Sequence, residues 1–338
     1  MISQEELNNK VRKFIEKEPE TVSSPADFHF EDAAIRFNME TKDNKVFEAT
    51  FCEAYQRKQF LLALSAQIGC PVRCKFCQLG KNGLTRNLSP DEILDQIRLM
   101  LRKAQERNYP IFSKPLKLSF VMGGDALTNK DFAEAFRRIR DEIPLKIKIS
   151  TVFPKTEVAD EVYKEIVEIA KDYPNIVQFQ VSLNSTNEEY RQNLTSIPLA
   201  DFKRLREAGE LWFEKVSNPR KINLTFTMSQ DTLLDPEDIY KKLPSELFAI
   251  RFRPWVPTKV GEENGMKIIL DEKFERTKKK FEDAGYMYIP GKAGHIERHF
   301  RLAPGQLLEL YPLIRRMKPA EVEQKHIRGK TEAGIPAK

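Results

Sequence analysis

Cys70, Cys74 and Cys77 are three of the chain's four cysteines, and all lie within the eight residues "CPVRCKFC". Their spacing, C-x3-C-x2-C, places three thiolates on one short segment. Three thiolates can ligate three irons of a [4Fe–4S] cluster and leave the fourth iron open to bind a ligand directly. A structural zinc site wants four ligands, usually two separated Cys/His pairs. Here the fourth would have to be Cys52 or a remote histidine. Pro71, Arg73, Lys75 and Gln78, between and after the cysteines, mark a loop and argue against three unrelated core thiols. The spacing therefore favours the cluster.

Other residue types carry weaker chemical signals. In "VMGGD", Gly123 and Gly124 would let the backbone approach a ligand, and Asp125 can accept from an ammonium; an ordinary strand-to-helix turn uses the same residues. Ser150 in "KISTV" and Ser182 in "QVSLN" place hydroxyls where strands end. Cys52, in a strand-like run, reads as a small buried hydrophobe. His295 and His299, four residues apart in "GHIERH", would share a helix face as metal ligands do, but two histidines without a third ligand favour a phosphate contact or a surface position.

The elements that must position these residues alternate. Residues 1–20 read as a charged, weakly amphipathic helix and "TVSSPADF" as a linker. From Ala33 to Ser65 the pattern is extended, a small antiparallel β element turning at "KDNK". "SPDEILDQIRLM" opens with Ser89 as N-cap, Pro90 in the first turn and Glu92 three residues after the cap, and its apolar residues Ile93, Leu94, Ile97 and Leu101 share one face. Strand and helix patterns then alternate to "YMYIP", with a helical stretch from about Asn187 to Val216 broken near Pro198. Counting from Phe60 there are about six strands, too few for a closed eight-fold barrel. The expected fold is α/β: an open, partial (β/α)6 barrel preceded by a short helix and β extension. In such sheets the site lies at the carboxyl ends of the strands, and the cysteines follow the first of them. The expected divisions are 1–58 for the extension, 59–312 for the barrel and 313–338 for a basic tail.

The 338 residues are 41% hydrophobic and 31% charged, with a formal net charge of +6, a mild excess that permits a polyanionic partner without demanding one. No stretch approaches the ~20 apolar residues of a membrane span. The polar N-terminus argues against a secretory signal, and the bunched cysteines suggest a reducing cytoplasm.

The cysteine motif, with Phe76 before its last cysteine, resembles the signature of the radical S-adenosylmethionine (SAM) superfamily. The resemblance implies a [4Fe–4S] cluster on Cys70, Cys74 and Cys77 whose open iron chelates SAM, reductive cleavage to a 5′-deoxyadenosyl radical, and an electron donor such as flavodoxin or ferredoxin. Gly123, Gly124 and Asp125 resemble the motif that holds the SAM amino group, and Phe76, Ser150 and Ser182 fall where SAM contacts are expected. "SAQIGCPVRCKFCQLGKNGLTRNLSPDEILDQI", "SLNSTNEEYRQNLTSI", "RPWVP" and "APGQL" further resemble the RlmN/Cfr group, which methylates an adenine of RNA. Glu48 matches, across a two-residue gap, a glutamate that group uses near its substrate, and is the catalytic candidate; by itself it reads as a solvent-facing strand residue. The group needs two further cysteines, but Ala63 and Pro304 stand at those positions and no cysteine follows Cys77. Its histidine after the "SL" strand end is Asn184, still able to bond a ribose; its asparagine in "PWN" is Val256. The expectation is therefore a radical SAM enzyme that does not use the methyl-cysteine route, acting on a nucleoside, nucleotide, RNA or small molecule. The alternatives are RNA adenine methylation by an altered mechanism, or a non-catalytic metal protein that binds RNA or another partner.

Overall fold

The structure, a computed structural model, describes residues 2–30, 34–54, 58–173 and 176–291. His295, His299, Pro304 and the expected tail lie outside the described residues.

Helix α1 (Gln4–Glu16) opens the chain, with Ser3 as its N-cap. Three strands follow: β1 (Val22–Phe30), β2 (Ala34–Thr41) and β3 (Val46–Ala54). They pair antiparallel in sequence order, with β2 and β3 joined by the expected turn at residues 42–45. The expectation of a linker at "TVSSPADF" is corrected here, because that segment forms β1. Pro25 is tolerated because β1 is an edge strand whose register shifts between Ser23 and Ala26, where a ladder N–H is not required. The carboxylate of Asp95 fixes the entry to this strand by accepting from the backbone N–H groups of Glu20 and Thr21 and the Thr21 hydroxyl, at 2.6–2.9 Å.

Next come β4 (Gln59–Leu64), a short hairpin of β5 (Gln67–Gly69) and β6 (Leu84–Asn87), and α2 (Pro90–Glu106). The capping box expected of Ser89 and Glu92 is formed in both directions, an arrangement worth about 1 kcal/mol. The alternation continues through β7 (Leu116–Phe120), α3 (Phe132–Glu142), β8 (Lys146–Thr151), α4 (Glu157–Ala170) and β9 (Val177–Ser182). After β9 the helical stretch is broken into α5 (Glu188–Asn193) and α6 (Phe202–Lys215), on either side of Pro198. Then follow β10 (Ile222–Met228), α7 (Pro236–Lys242), β11 (Phe248–Pro254), α8 (Lys259–Glu263) and α9 (Asp271–Asp283).

Among the described residues, one nine-stranded sheet has the order β1-β2-β3-β4-β7-β8-β9-β10-β11. Its last six strands run parallel, which is the six-fold open barrel expected, and β3–β4 pairing joins the N-terminal strands to it. Along these strands one face is apolar: Leu118, Phe120, Ile147, Ile149, Phe179, Val181, Leu224, Phe226 and Ile250 join the helices in a single core. The pleat sends the intervening residues to the other face, where the site lies. Among the described residues no helix is long and apolar enough to cross a membrane.

Candidate functional site

The three cysteines occupy the excursion between β5 and β6, beyond the carboxyl end of β4. The loop is held from both flanks. Cys70 N–H donates to Gly83 O and Lys75 N–H to Leu194 O, while Val72 O accepts from Ser196 N–H. The Thr258 hydroxyl donates to Phe76 O at 3.0 Å, and the Asn264 amide to Lys75 O at 3.1 Å. Gly80 is required for closure, because a Cβ there would stand 2.7 Å from the Arg73 Cα.

Cys70, Cys74 and Cys77 line one cleft. The residues are half-buried, yet their thiols sit deep enough that burial is the first cause raising each above its ordinary range. Cys70 is pushed up to about 12, by burial and then by the nearby Cys77. Cys74 rises through burial and the charges of Cys77 and Cys70, and Cys77 through burial, against hydrogen bonds from the Leu79 and Gly80 backbone. Mutual repulsion of this kind between thiolates is relieved when cations bind them. Among the described residues no three His, Cys, Asp or Glu gather as they would around a single metal ion.

The same cleft is bordered by the Gly-Gly-Asp turn after β7. Gly124 lines the cleft at φ +87°, and a Cβ there would meet the Gln67 side chain at 2.5 Å. Gln67 Oε1 accepts from Asp125 N–H, and Ser65 Oγ accepts from Gly123 N–H. Asp125 is buried, and its Oδ1 accepts from Leu127 N–H and the Thr151 hydroxyl while Oδ2 accepts from Val152 N–H. Burial pushes its carboxyl up to about 6, against those three bonds. One acceptor position is left on Oδ2.

The expected residues separate into two sets. Cys70, Cys74, Cys77, Phe76, Gly124, Asp125, Ser150, Ser182 and Val256 all line the cleft. Gly123, Asn184 and Glu48 do not. Gly123 packs against Ser65 and Gln67. Asn184 is buried at φ +61°; its Oδ1 accepts from Thr227 N–H and its amide donates to Ser182 O, so it braces two strand ends. Glu48 is buried, not solvent-facing. It is ion-paired with Arg36 and lines a second cavity with Gln67, Gly69 and Gly123. Cys52 is buried, as its strand position suggested. The sequence reading passed over Thr151, Gln180, Thr225, Thr227, Arg253, Trp255 and Thr258, which also line the cleft. For Gln180, Thr225, Thr227 and Arg253 the signal was a polar residue at every second position of strands that parallel sheets usually make apolar on both faces; Thr151 ends β8, and Trp255 and Thr258 lie beyond β11.

The family model described as Radical SAM superfamily matches residues 64–243. The chain belongs to the radical SAM superfamily. Its curated relatives include two named "Probable dual-specificity RNA methyltransferase RlmN". That of Synechococcus sp. (strain CC9902) is 32% identical over 176 residues, covering 50% of this chain and 45% of that one. That of Parasynechococcus marenigrum (strain WH8102) is 32% identical over 176 residues, covering 50% and 46%. The chain thus spans about half the length of the curated relatives it matches. Among solved structures, a radical SAM methyltransferase from Sphaerobacter thermophilus superposes with a TM-score of 0.68 over 86% of this chain and 81% of that one. At 19% identity that likeness is one of fold.

Enzymes of this superfamily use a [4Fe–4S] cluster and SAM, and these are this enzyme's cofactors. The donor set fits them: three thiols on one cleft for three irons, with a glycine turn and a carboxylate acceptor lining the same cleft.

Proposed function

We propose that Cys70, Cys74 and Cys77 would hold three irons of the cluster and leave the fourth without a protein ligand. Asp125 receives the SAM ammonium at its remaining acceptor position, with Gly124 allowing close approach, and Ser150 and Ser182 offer hydroxyls to the SAM carboxylate or ribose. With an electron from a donor such as flavodoxin or ferredoxin, the bound cluster and SAM would supply the superfamily's radical chemistry, reductive cleavage of SAM to a 5′-deoxyadenosyl radical able to take a hydrogen atom from the substrate. Val72, Leu79, Val152, Pro254 and Trp255 give the cleft apolar wall that keeps water from the reacting centre. Carrying this reading is the meeting of all three motif cysteines with Gly124 and Asp125 on one cleft at the carboxyl ends of the parallel strands. Ala63 and Pro304, at the positions of the RlmN/Cfr cysteines, favour a route without methyl-cysteine. Anaerobically reconstituted protein given dithionite and SAM is expected to release 5′-deoxyadenosine. Protein that holds about four irons yet never cleaves SAM under any reductant would sink the proposal.

A second reading, methylation of an RNA adenine, is supported by the names of the 32%-identical relatives. Mass spectrometry of ribosomal and transfer RNA from a deletion strain separates the two. Loss of a methyladenosine supports RNA methylation, and an unchanged inventory removes it.

A further inference from the structure

The cysteine loop is held in two halves by two different parts of the chain. Its first half is fixed by the β5–β6 hairpin and by the segment between α5 and α6. Cys70 N–H donates to Gly83 O, Ser196 N–H to Val72 O, and Lys75 N–H to Leu194 O. The second half, which carries Cys77, is reached from elsewhere. Trp255 Nε1 and the Thr258 hydroxyl both donate to Phe76 O, at 3.5 and 3.0 Å, and Val260 N–H donates to Gln78 Oε1 at 3.2 Å. Among the described residues, every hydrogen bond that reaches Phe76, Cys77 or Gln78 from outside the loop comes from residues 255–260.

These donors are themselves fixed. Trp255 N–H donates to Met228 O at 2.8 Å, which ties the segment to the end of β10. The indole is buried, and a Cβ on Gly261 would stand 2.3 Å from its Cζ2, so α8 packs directly on the ring. Thr258 is the N-cap of α8, and its oxygen accepts from Gly261 N–H at 3.0 Å. With that bond made, the hydroxyl proton is directed to Phe76 O. Both acceptor positions of Phe76 O are thus filled from one short segment.

The same segment is a wall of the cleft. Arg253, Pro254, Trp255, Val256 and Thr258 line it together with the three cysteines. The Phe76 carbonyl is joined to the Cys77 nitrogen by one planar peptide unit, so fixing its oxygen fixes the start of Cys77. Wall and third cysteine form one packed unit, whereas Cys70 is placed by its own hairpin.

We propose that Thr258 and Trp255 are positioning residues for Cys77, placing its thiol in the donor set independently of the contacts that place Cys70. The proposal rests on the reading of the three cysteines as iron ligands and deepens it, by dividing the triad between two separate supports. Partners that orient a ligand are worth about 10–100-fold in metal affinity.

The test begins with iron-free protein, where neither iron nor SAM enters. The thiols are alkylated with iodoacetamide under native conditions, and the rate at each is read by peptide mass spectrometry. Thr258→Val removes the donor and keeps the shape. It should speed Cys77 labelling about tenfold and leave Cys70 within about twofold of the wild type. Trp255→Phe should act in the same direction by a few-fold, since its bond is the longer; it keeps the test open if Thr258→Val does not fold. Thr258→Ser retains the hydroxyl and should return Cys77 to the wild-type rate. Tyr163→Phe is the control, because it breaks another buried hydroxyl-to-carbonyl bond, to Ala208 O between α4 and α6. It should leave the ratio of Cys77 to Cys70 labelling unchanged. Equal acceleration of both thiols in Thr258→Val, or none, overturns the proposal. So does a Thr258→Ser protein that labels like Thr258→Val, or a ratio that moves as far in Tyr163→Phe. Reconstituted protein supplies the second arm: Thr258→Val should lose iron to a chelator about ten times faster than the wild type, and Thr258→Ser should not. Selective Cys77 labelling with unchanged iron loss would defeat Cys77 as an iron ligand and leave its positioning standing. Unselective labelling beside normal SAM cleavage would defeat the positioning alone.

Discussion

The two faces of the six parallel strands are made by the same residues in alternation, and they do opposite things. The face under the helices buries Leu118, Ile149, Phe179, Leu224 and Phe226 in one continuous core, at about 25 cal/mol for each Å² of apolar surface removed from water. The other face carries lysine, serine, glutamine and threonine, and leaves Ser119 Oγ and Thr225 Oγ1 buried without partners. An unsatisfied buried group costs about 1–3 kcal/mol. One side of the sheet therefore supplies the stability that the other side spends on polar chemistry.

That contrast breaks first at the thiols. Cys74→Ala should remove the brown colour of reconstituted protein and bring 5′-deoxyadenosine release to background, with little change in the melting of iron-free protein; a full iron complement in the variant would refute the assignment. On the apolar face, Phe179→Ala should cost about 3–5 kcal/mol in urea unfolding, because the ring packs edge-on to Tyr163 at 5.1 Å and beside Trp212 at 6.0 Å.

Asp125 sharpens the comparison through pH. Its folded-state carboxyl is raised from 3.8 to about 6, so the folded form holds a proton that the unfolded form has lost. In cluster-free protein its contribution to stability is greatest below about pH 4 and falls by roughly 3 kcal/mol as pH rises to about 6. Asp125→Asn should abolish that slope while starting less stable, since an amide N–H2 would meet the Val152 N–H. A slope unchanged in Asp125→Asn would assign it to other groups. The smallest effect is expected at Ser119, whose hydroxyl is buried and unpartnered. Ser119→Ala should be neutral or stabilise by up to about 1 kcal/mol, whereas a clear loss would reveal a partner for that oxygen.

Much of this was legible in the residues because local rules and the global fold agreed. The Ser89–Glu92 capping box, the break at Pro198 and the six strands from Phe60 onward all follow from patterning. The cysteine spacing pointed to the cleft before any geometry. Elsewhere a tertiary partner decided. Pro25 suggested a linker, yet pairing with β2 makes the segment an edge strand, where a proline costs little. Glu48 looked solvent-facing because nothing near it in sequence marks Arg36 as its counter-ion. Asn184 sits beside Ser182 in the chain, but its left-handed backbone turns its amide toward the strand ends and away from the cleft. The β5–β6 hairpin escaped notice because its strands are three and four residues long, too short for periodicity to register.

The Thr258 hydroxyl that grips Phe76 O comes from 182 residues further along the chain. At typical synthesis rates of 5–20 residues per second, the cysteine segment leaves the ribosome roughly 10–40 s before the residue that clasps it. During that interval the three thiols lack their far wall and are open to oxidants and stray metals. The full set of contacts that holds the cysteine loop is therefore available only once the chain beyond β11 has been made.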